Sequence, residues 1–461
     1  MKIAFYEVYG FKLSTSIVYT ILETHAEEAS SYLVSYITLC SVVMTLAYLG
    51  FCMYLVKYFL KNRSLSVLKK NRIVLLLLAI ATILVVYRGF VYKKYNFVYT
   101  MFDALQSYKH TQNSFESKLT KHVNPAFKNV AQVSGESKTF VVIIGESTTR
   151  RQMGLYGFYR ETNPLLSAKK KQLKVYDSVV STSAYTIFSL NQILLHKKDY
   201  ITPQDHFEDK DVKGSLVQLA NMAGFETYWI SNQRPIGINE TSTSKIARAA
   251  NKTVFVNYED YDFESYDEKV LPELDKVLSE SPKYKMIFIH LMGAHWNFKY
   301  RYPKAYNKFT TVPQTPIKDK DKQQIINEYH NAILYNDFIV NSVIDKVAGT
   351  QTESYVTYFS DHGVDVFENV TKGVQHSDRN PTKPMYEIPF IVWMSESYES
   401  NVLIDYKPQR KYVMSDFIHS FSELSSIKFD EYDDTKSIFN ANYIFDKTKV
   451  ENTRLEHIIY D

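Results

Sequence analysis

Thr139-Phe140-Val141-Val142-Ile143-Ile144-Gly145-Glu146-Ser147 begins with an apolar run and ends in a glycine followed by a carboxylate. Residues 140–144 are continuously apolar, as in a central strand buried on both faces. Similar short runs recur at residues 227–230, 286–289, 355–359 and 388–393. Amphipathic stretches at 215–223, 266–278 and 322–347 separate several of them, each with the spacing of a helix that buries one face. Strands and helices alternating in this way predict one α/β/α layered domain with a largely parallel sheet. No internal repeat or low-complexity tract interrupts it.

In such sheets ligands bind just beyond the carboxyl ends of the strands. Four of the predicted strands lead into polar groups there: Glu146 and Ser147, Ser231 and Asn232, His295, and Asp361 with His362. Taken alone, Gly145-Glu146-Ser147 also fits a surface turn. Ser360-Asp361-His362-Gly363 is sharper, because adjacent carboxylate and imidazole groups before a permissive glycine can bend toward one cation, and O/N ligation suits Zn²⁺. The competing reading is a turn whose Asp caps a helix. With His295 and His376, these residues supply enough ligands for two metals, or for one metal plus transition-state stabilisation. His290 lies within its strand and reads as structural. The hydroxyl-rich stretch 177–190 (DSVVSTSAYTIFSL) offers nucleophiles, but by local signal Thr186 ranks little above Thr182, Ser183 or Ser189. A coordinated metal would lower the hydroxyl pKa and make an alkoxide available near neutral pH.

The rest of the chain sets the context. Of 461 residues, 45% are hydrophobic and 15% aromatic, enough for a large core and against disorder. The net charge of +4 arises from 54 basic and 50 acidic residues, which excludes the concentrated positive field of a nucleic-acid binder. Residues 32–56 carry no formal charge and are long enough to cross a hydrocarbon layer about 30 Å thick. A second span at 73–92 requires Arg88 to snorkel to the interface. Between them the loop 61–72 holds five basic residues and no acid, which places it in the cytoplasm and both flanks on the other side. Both cysteines, Cys40 and Cys52, fall in the first span, roughly 18 Å apart along a helix and unable to pair. The expected organisation is a membrane-proximal segment at 1–31, a transmembrane region at 32–92, a helical linker at 93–138 and an exported domain at 139–461.

Gly145-Glu146-Ser147-Thr148-Thr149-Arg150, followed by Leu155-Tyr156-Gly157-Phe158-Tyr159-Arg160-Glu161-Thr162-Asn163-Pro164, resembles the signature block of phosphoethanolamine transferases in the alkaline phosphatase and sulfatase superfamily. Trp229-Ile230-Ser231-Asn232-Gln233, Met292-Gly293-Ala294-His295, Asn331-Ala332-Ile333-Leu334-Tyr335-Asn336-Asp337 and Asp361-His362-Gly363 extend the likeness in family order. The resemblance implies an α/β/α sandwich of that superfamily behind an N-terminal membrane region with two transmembrane helices. It implies one or two Zn²⁺ ions, with Glu146, Asp361 and His362 as ligands and Thr186 as both ligand and nucleophile. His295 and His376 correspond to the second-metal or phosphate-side histidines. Thr24 and Glu28 are similar to the family's donor-lipid segment, where Thr20 replaces an asparagine, and Asn232 joins them as a substrate-binding residue. The family generally has five spans, so the resemblance also implies that about three N-terminal helices are lacking here.

The implied activity is transfer of phosphoethanolamine from phosphatidylethanolamine to lipopolysaccharide, lipid A or another envelope glycan, through a covalent threonine intermediate. The implied location is the inner membrane, with membrane lipid around the anchor, the catalytic domain in the periplasm and no nucleic-acid partner. In the family this chain resembles, the lipid A enzymes carry several disulfides in the exported domain, and the lack of cysteine there in this chain inclines the implied acceptor toward a core sugar. A sulfatase needs Cys or Ser in a C/S-x-P-x-R setting, which Thr186-Ile187-Phe188-Ser189-Leu190 does not provide. The remaining alternatives are a glycerol phosphate transferase similar to lipoteichoic acid synthase and an inactive membrane scaffold.

Overall fold

The computed structural model describes residues 97–197, 212–235, 241–257, 265–369 and 381–447, with scattered positions before residue 97. The chain divides into two compact units, 1–110 and 111–461. In the first, the described residues of the 32–56 segment are helical, and Leu46, Leu49, Phe51, Met53 and Tyr54 are at least half exposed despite their apolar side chains. Among the described residues no helix is long and apolar enough to cross a membrane. Most of the two expected spans lies outside those residues.

The second unit is built on a seven-stranded sheet. Its strands are β1 (Lys138–Gly145), β2 (Leu173–Val175), β3 (Glu226–Ser231), β4 (Lys252–Phe255), β5 (Tyr284–His290), β6 (Glu353–Ser360) and β7 (Phe390–Met394), in the order β2-β7-β6-β1-β5-β3-β4. From β6 across to β4 all neighbours are parallel, while β7 runs antiparallel to both β6 and β2. The apolar run 140–144 is thus the middle strand, and every residue of β1 is buried.

Side-chain alternation along β1 divides two cores. Phe140, Val142 and Ile144 face one, with Trp229, Phe288, Tyr355 and Phe390 from neighbouring strands; Val141 and Ile143 face the other, with Tyr228, Ile287, Val356 and Trp393. The first core is covered by α2 (Thr186–Leu194), α3 (Leu216–Met222) and α6 (Phe417–Leu424), and the second by α4 (Val270–Ser279) and α5 (Lys320–Ala348). Local signals start these helices where they are needed. Ser215 and Gln218 form a capping box at α3, and the Asp319 carboxylate accepts from Asp321 N at α5. Phe115 and Leu119, from the end of α1 (Phe97–Leu119), and Phe127 are buried in the first core, so part of the segment read as a linker is integral to this unit.

Candidate active site

Register brings the strand ends together. Gly145 of β1 lies opposite Ser360 of β6, and Ile144 lies opposite His290 of β5, so the residues that follow these strands meet at the carboxyl edge. Asp361 N donates to Gly145 O (3.1 Å), and Ala294 N donates to Glu146 O (3.0 Å). Ser147 adopts a left-handed φ of 54°, turning the chain sharply behind Glu146. From α5, the Tyr329 hydroxyl donates to Ser147 O (3.0 Å) and accepts from Thr149 N (3.0 Å), fixing that turn.

Glu146, Asp361 and His362 are buried, and one ligand atom from each lies within 4.8 Å of the others. His362 Nε2 is 3.3 Å from Glu146 Oε1 and 3.4 Å from Asp361 Oδ2. The His362 Nδ1 side is engaged by Gly363 O at 2.8 Å, which leaves Nε2 to face the two carboxylates. Asp361 Oδ1 accepts from Ser147 N and His362 N, whereas Oδ2 is buried without a hydrogen-bond partner among the described residues. An orphaned carboxylate oxygen beside an imidazole nitrogen and a second carboxylate fits a divalent cation with N/O preference.

Thr186, the first residue of α2, completes the cluster. Its hydroxyl is 3.3 Å from Glu146 Oε2 and 3.2 Å from His362 Nε2. The rival hydroxyls point elsewhere. Ser183 Oγ accepts from Tyr185 N (3.1 Å), Ser189 Oγ donates to Asp361 O (2.5 Å), and Thr182 Oγ1 is buried with no hydrogen-bond partner among the described residues. Thr186 is half-buried and alone of the four has its hydroxyl against the triad carboxylate and imidazole.

Burial pushes Glu146 up, but the hydrogen bond and charge of His362, the charge of His295 and the Ser147 hydroxyl outweigh it and hold the carboxyl well below its ordinary range. Burial and then the Glu146 charge drive Asp361 upward. His362 is raised although burial opposes it, because both carboxylates favour its charged form. Without a cation, the cluster therefore retains protons that a metal would displace.

The other expected residues divide. His295 is half-buried on the turn after β5, close enough for its charge to act on Glu146. Asn232, a substrate-binding residue by the resemblance, is fully buried; its Nδ2 donates to Ser265 O (3.0 Å) and Asp267 Oδ1 (2.8 Å). His290 is a buried strand residue whose pKa burial lowers to about 4, consistent with a structural part. His376, Thr24 and Glu28 lie outside the described residues.

Two groups hold the Glu146 carboxylate: Ser147, singled out in the sequence but given no role there, and Gln233, which the sequence reading passed over. Ser147 Oγ donates to Oε1 (2.6 Å), and Gln233 Nε2 donates to Oε2 (3.3 Å) and to Leu291 O (3.0 Å). The available signal for Gln233 was position, since it follows a strand end directly beside Asn232. Much of the signature block serves a different purpose. Arg160 Nη1 donates to Asn327 Oδ1 (2.7 Å), while Asp337 accepts from Leu165 N (2.8 Å) and Leu166 N (3.0 Å). These contacts moor α5, whose Tyr329 supports the turn behind Glu146.

A layered sheet with an N/O ligand set at its strand ends and a hydroxyl against it defines an enzyme of the alkaline phosphatase and sulfatase class, and a family model described as Sulfatase matches residues 138–427. Phosphoethanolamine transferase EptC of Escherichia coli strain K12 is 32% identical over 475 residues, covering 96% of this chain and 80% of that protein. The crystal structure of the C-terminal periplasmic domain of E. coli EptC in complex with Zn has a TM-score of 0.65 and 33% identity, over 70% of this chain and 92% of that one. The integral membrane protein lipooligosaccharide phosphoethanolamine transferase A from Neisseria meningitidis shares the fold at a TM-score of 0.66 and 21% identity, over 94% of this chain and 83% of that one. The chain belongs to the sulfatase family and, within it, to the phosphoethanolamine transferases.

Proposed function

We propose that this enzyme transfers phosphoethanolamine from phosphatidylethanolamine to an envelope glycolipid of the lipopolysaccharide type, with Thr186 as the nucleophile. The observation that carries this reading is the placement of the Thr186 hydroxyl against Glu146 Oε2 and His362 Nε2. Glu146, Asp361, His362 and Thr186 would hold Zn²⁺, which supplies Lewis-acid polarisation of the phosphoryl oxygens and lowers the hydroxyl pKa. Thr186 Oγ1 gives up its proton to solvent and forms the new bond to phosphorus as the bond to the diacylglycerol oxygen breaks. That oxygen takes a proton from His295 or His376. An acceptor hydroxyl or protonated phosphate then attacks the phosphothreonine and gives up its proton to the same base, while the departing Thr186 oxygen takes a proton from solvent to regenerate the hydroxyl. Lying at the amino end of α2, Thr186 places the phosphoryl charge where the helix dipole favours anions.

The EptC relatives support phosphoethanolamine over the glycerol phosphate alternative, and an intact ligand cluster speaks against an inactive scaffold. The Neisseria protein is named for a lipooligosaccharide acceptor, in keeping with a glycolipid acceptor here. We also place the chain in the inner membrane with its catalytic unit in the periplasm. Exposed apolar helical residues at 46–54 and the integral-membrane Neisseria relative support that placement.

Incubation with donor and no acceptor, followed by peptide mapping, should find one phosphoethanolamine adduct between residues 175 and 197, on Thr186. Thr186→Ala should abolish both adduct and transfer, while Thr186→Ser should retain part of the activity because the reacting oxygen survives. An adduct on Thr182 or Ser183, or one that persists in Thr186→Ala, would overturn the assignment.

A further inference from the structure

The turn that carries His295 is fixed by a carboxylate from another element. Asp267 opens the short 3₁₀ turn Asp267–Lys269 ahead of α4 and is buried. Its Oδ1 accepts from Asn232 Nδ2 (2.8 Å) and Met292 N (2.8 Å), and its Oδ2 accepts from Gly293 N (2.9 Å). Three donors converge on one side chain, a demand that an acceptor-only carboxylate meets and an amide does not. Asn232 is itself locked, since its Oδ1 accepts from Ser265 Oγ (2.7 Å) and its backbone N donates to His290 O (2.9 Å). One carboxylate thus ties the exits of β3 and β5 to the start of α4.

What it holds in place is the wall of the reaction centre. Gly293, at φ 53°, lies so close to Glu146 that a Cβ would come within 2.8 Å of the Glu146 backbone N and O. Ala294 N bonds Glu146 O, and two residues after Gly293 comes His295, whose charge reaches the Glu146 carboxylate. We propose that Asp267 is a positioning residue for phosphoryl transfer: through the Met292 and Gly293 amides it sets the turn that presents His295 to the phosphoryl group on Thr186, and Asn232 acts through Asp267. This rests on the function proposed above. Asp267 stands outside the metal cluster, so its loss weakens the histidine step without emptying the metal site.

The test is a double-mutant cycle on the full-length, zinc-loaded protein in lipid nanodiscs, with Asp267→Asn and His295→Ala alone and combined. Asp267→Asn should lower kcat by about tenfold or more, as loss of a positioning contact does, with the zinc-to-protein ratio unchanged and the donor KM nearly so. In the His295→Ala background the same substitution should produce no further loss, because the two changes remove one function. Independently of turnover, the rate at which diethylpyrocarbonate modifies His295, read by peptide mass, should change in Asp267→Asn while other histidines react as before. Wild-type kcat, equal losses in both backgrounds, or unaltered His295 reactivity would each overturn the proposal. If Asp267→Asn does not fold, Asn232→Ala takes its place in the same cycle, with a smaller loss that again disappears without His295. Failure of the wild-type protein to transfer phosphoethanolamine would instead overturn the functional reading, and the His295 reactivity would still decide the role of Asp267.

Discussion

At Gly293 the absence of a side chain is what lets two strand exits meet. Gly293→Ala combines a left-handed backbone with a Cβ 2.8 Å from Glu146 N and O, neither of which can move without shifting the Glu146 carboxylate away from Asp361 and His362. Gly157 is the control, since it has a φ of 94° but nothing within 4 Å of a Cβ. Gly157→Ala should lose only the backbone preference, about 1–2 kcal/mol, whereas Gly293→Ala adds about 1–3 kcal/mol of overpacking and should also weaken zinc binding. Denaturant unfolding and zinc titration of both variants check this; equal behaviour would remove the steric argument. Zinc binding should also depend on pH in a definite sense. Asp361 and His362 must lose protons to become ligands, and the metal-free site raises both above their ordinary values. Affinity should therefore fall as pH is lowered, with the dependence extending above the usual carboxylate and imidazole ranges. Isothermal titration in buffers of different ionisation enthalpy should show proton release on zinc binding, and its absence above pH 7 would contradict the charge state described.

Among the elements, α5 shows how a motif can be prominent in sequence and remote from chemistry. Asp337 on this helix caps the two amides that begin the helix Pro164–Ala168, and burial raises its pKa to about 6 despite those bonds. A folded-state pKa above the unfolded value means that its linked stability is full below about pH 4 and is lost as pH rises through about 6. Asp337→Ala should destabilise by about 1–3 kcal/mol through the two unpaired amides, and the difference from wild type should be larger at pH 4 than at pH 7.5. Urea unfolding at both pH values reads this, and an opposite slope would mean that the carboxyl is stabilised as an anion. The same elements explain what sequence could reveal. β1, β3, β5, β6 and β7 were legible because strands buried on both faces must be almost wholly apolar. β2 and β4 were not, being short edge strands that contain Lys174 and Lys252 and each pair with one neighbour. Glu146, Asp361 and His362 stood out by following legible strands, and the resemblance singled out Thr186 among its neighbours. Asp267 gave no local sign, because its partners Asn232 and Met292 lie 35 and 25 residues away in the chain.

For the whole catalytic unit, the question is where it begins. The matched family region starts at Lys138, but the compact unit starts at Thr111, and the difference is core rather than tether. Phe115, Leu119 and Phe127 are at most 3% exposed. Phe127 stacks on His196, meets Phe429 edge-on, and covers Gly214 so closely that a Cβ there would collide with the ring. Outside this apolar contact, Lys245 Nζ donates to Gln112 O (3.0 Å) and Arg248 pairs with Glu116 (3.0 Å). Removing the segment uncovers surfaces that three large side chains now fill, each contributing about 1.5–3 kcal/mol by burial, against a total stability of about 5–15 kcal/mol for a typical domain. Surface ion pairs add little to that sum. A fragment from residue 111 should therefore unfold cooperatively and bind zinc. A fragment from residue 128 should melt several degrees lower and bind a hydrophobic dye, because it keeps its secondary structure while exposing the first core. Differential scanning calorimetry and dye fluorescence on the two fragments decide the matter, and identical melting with no dye binding would make residues 111–127 a linker after all.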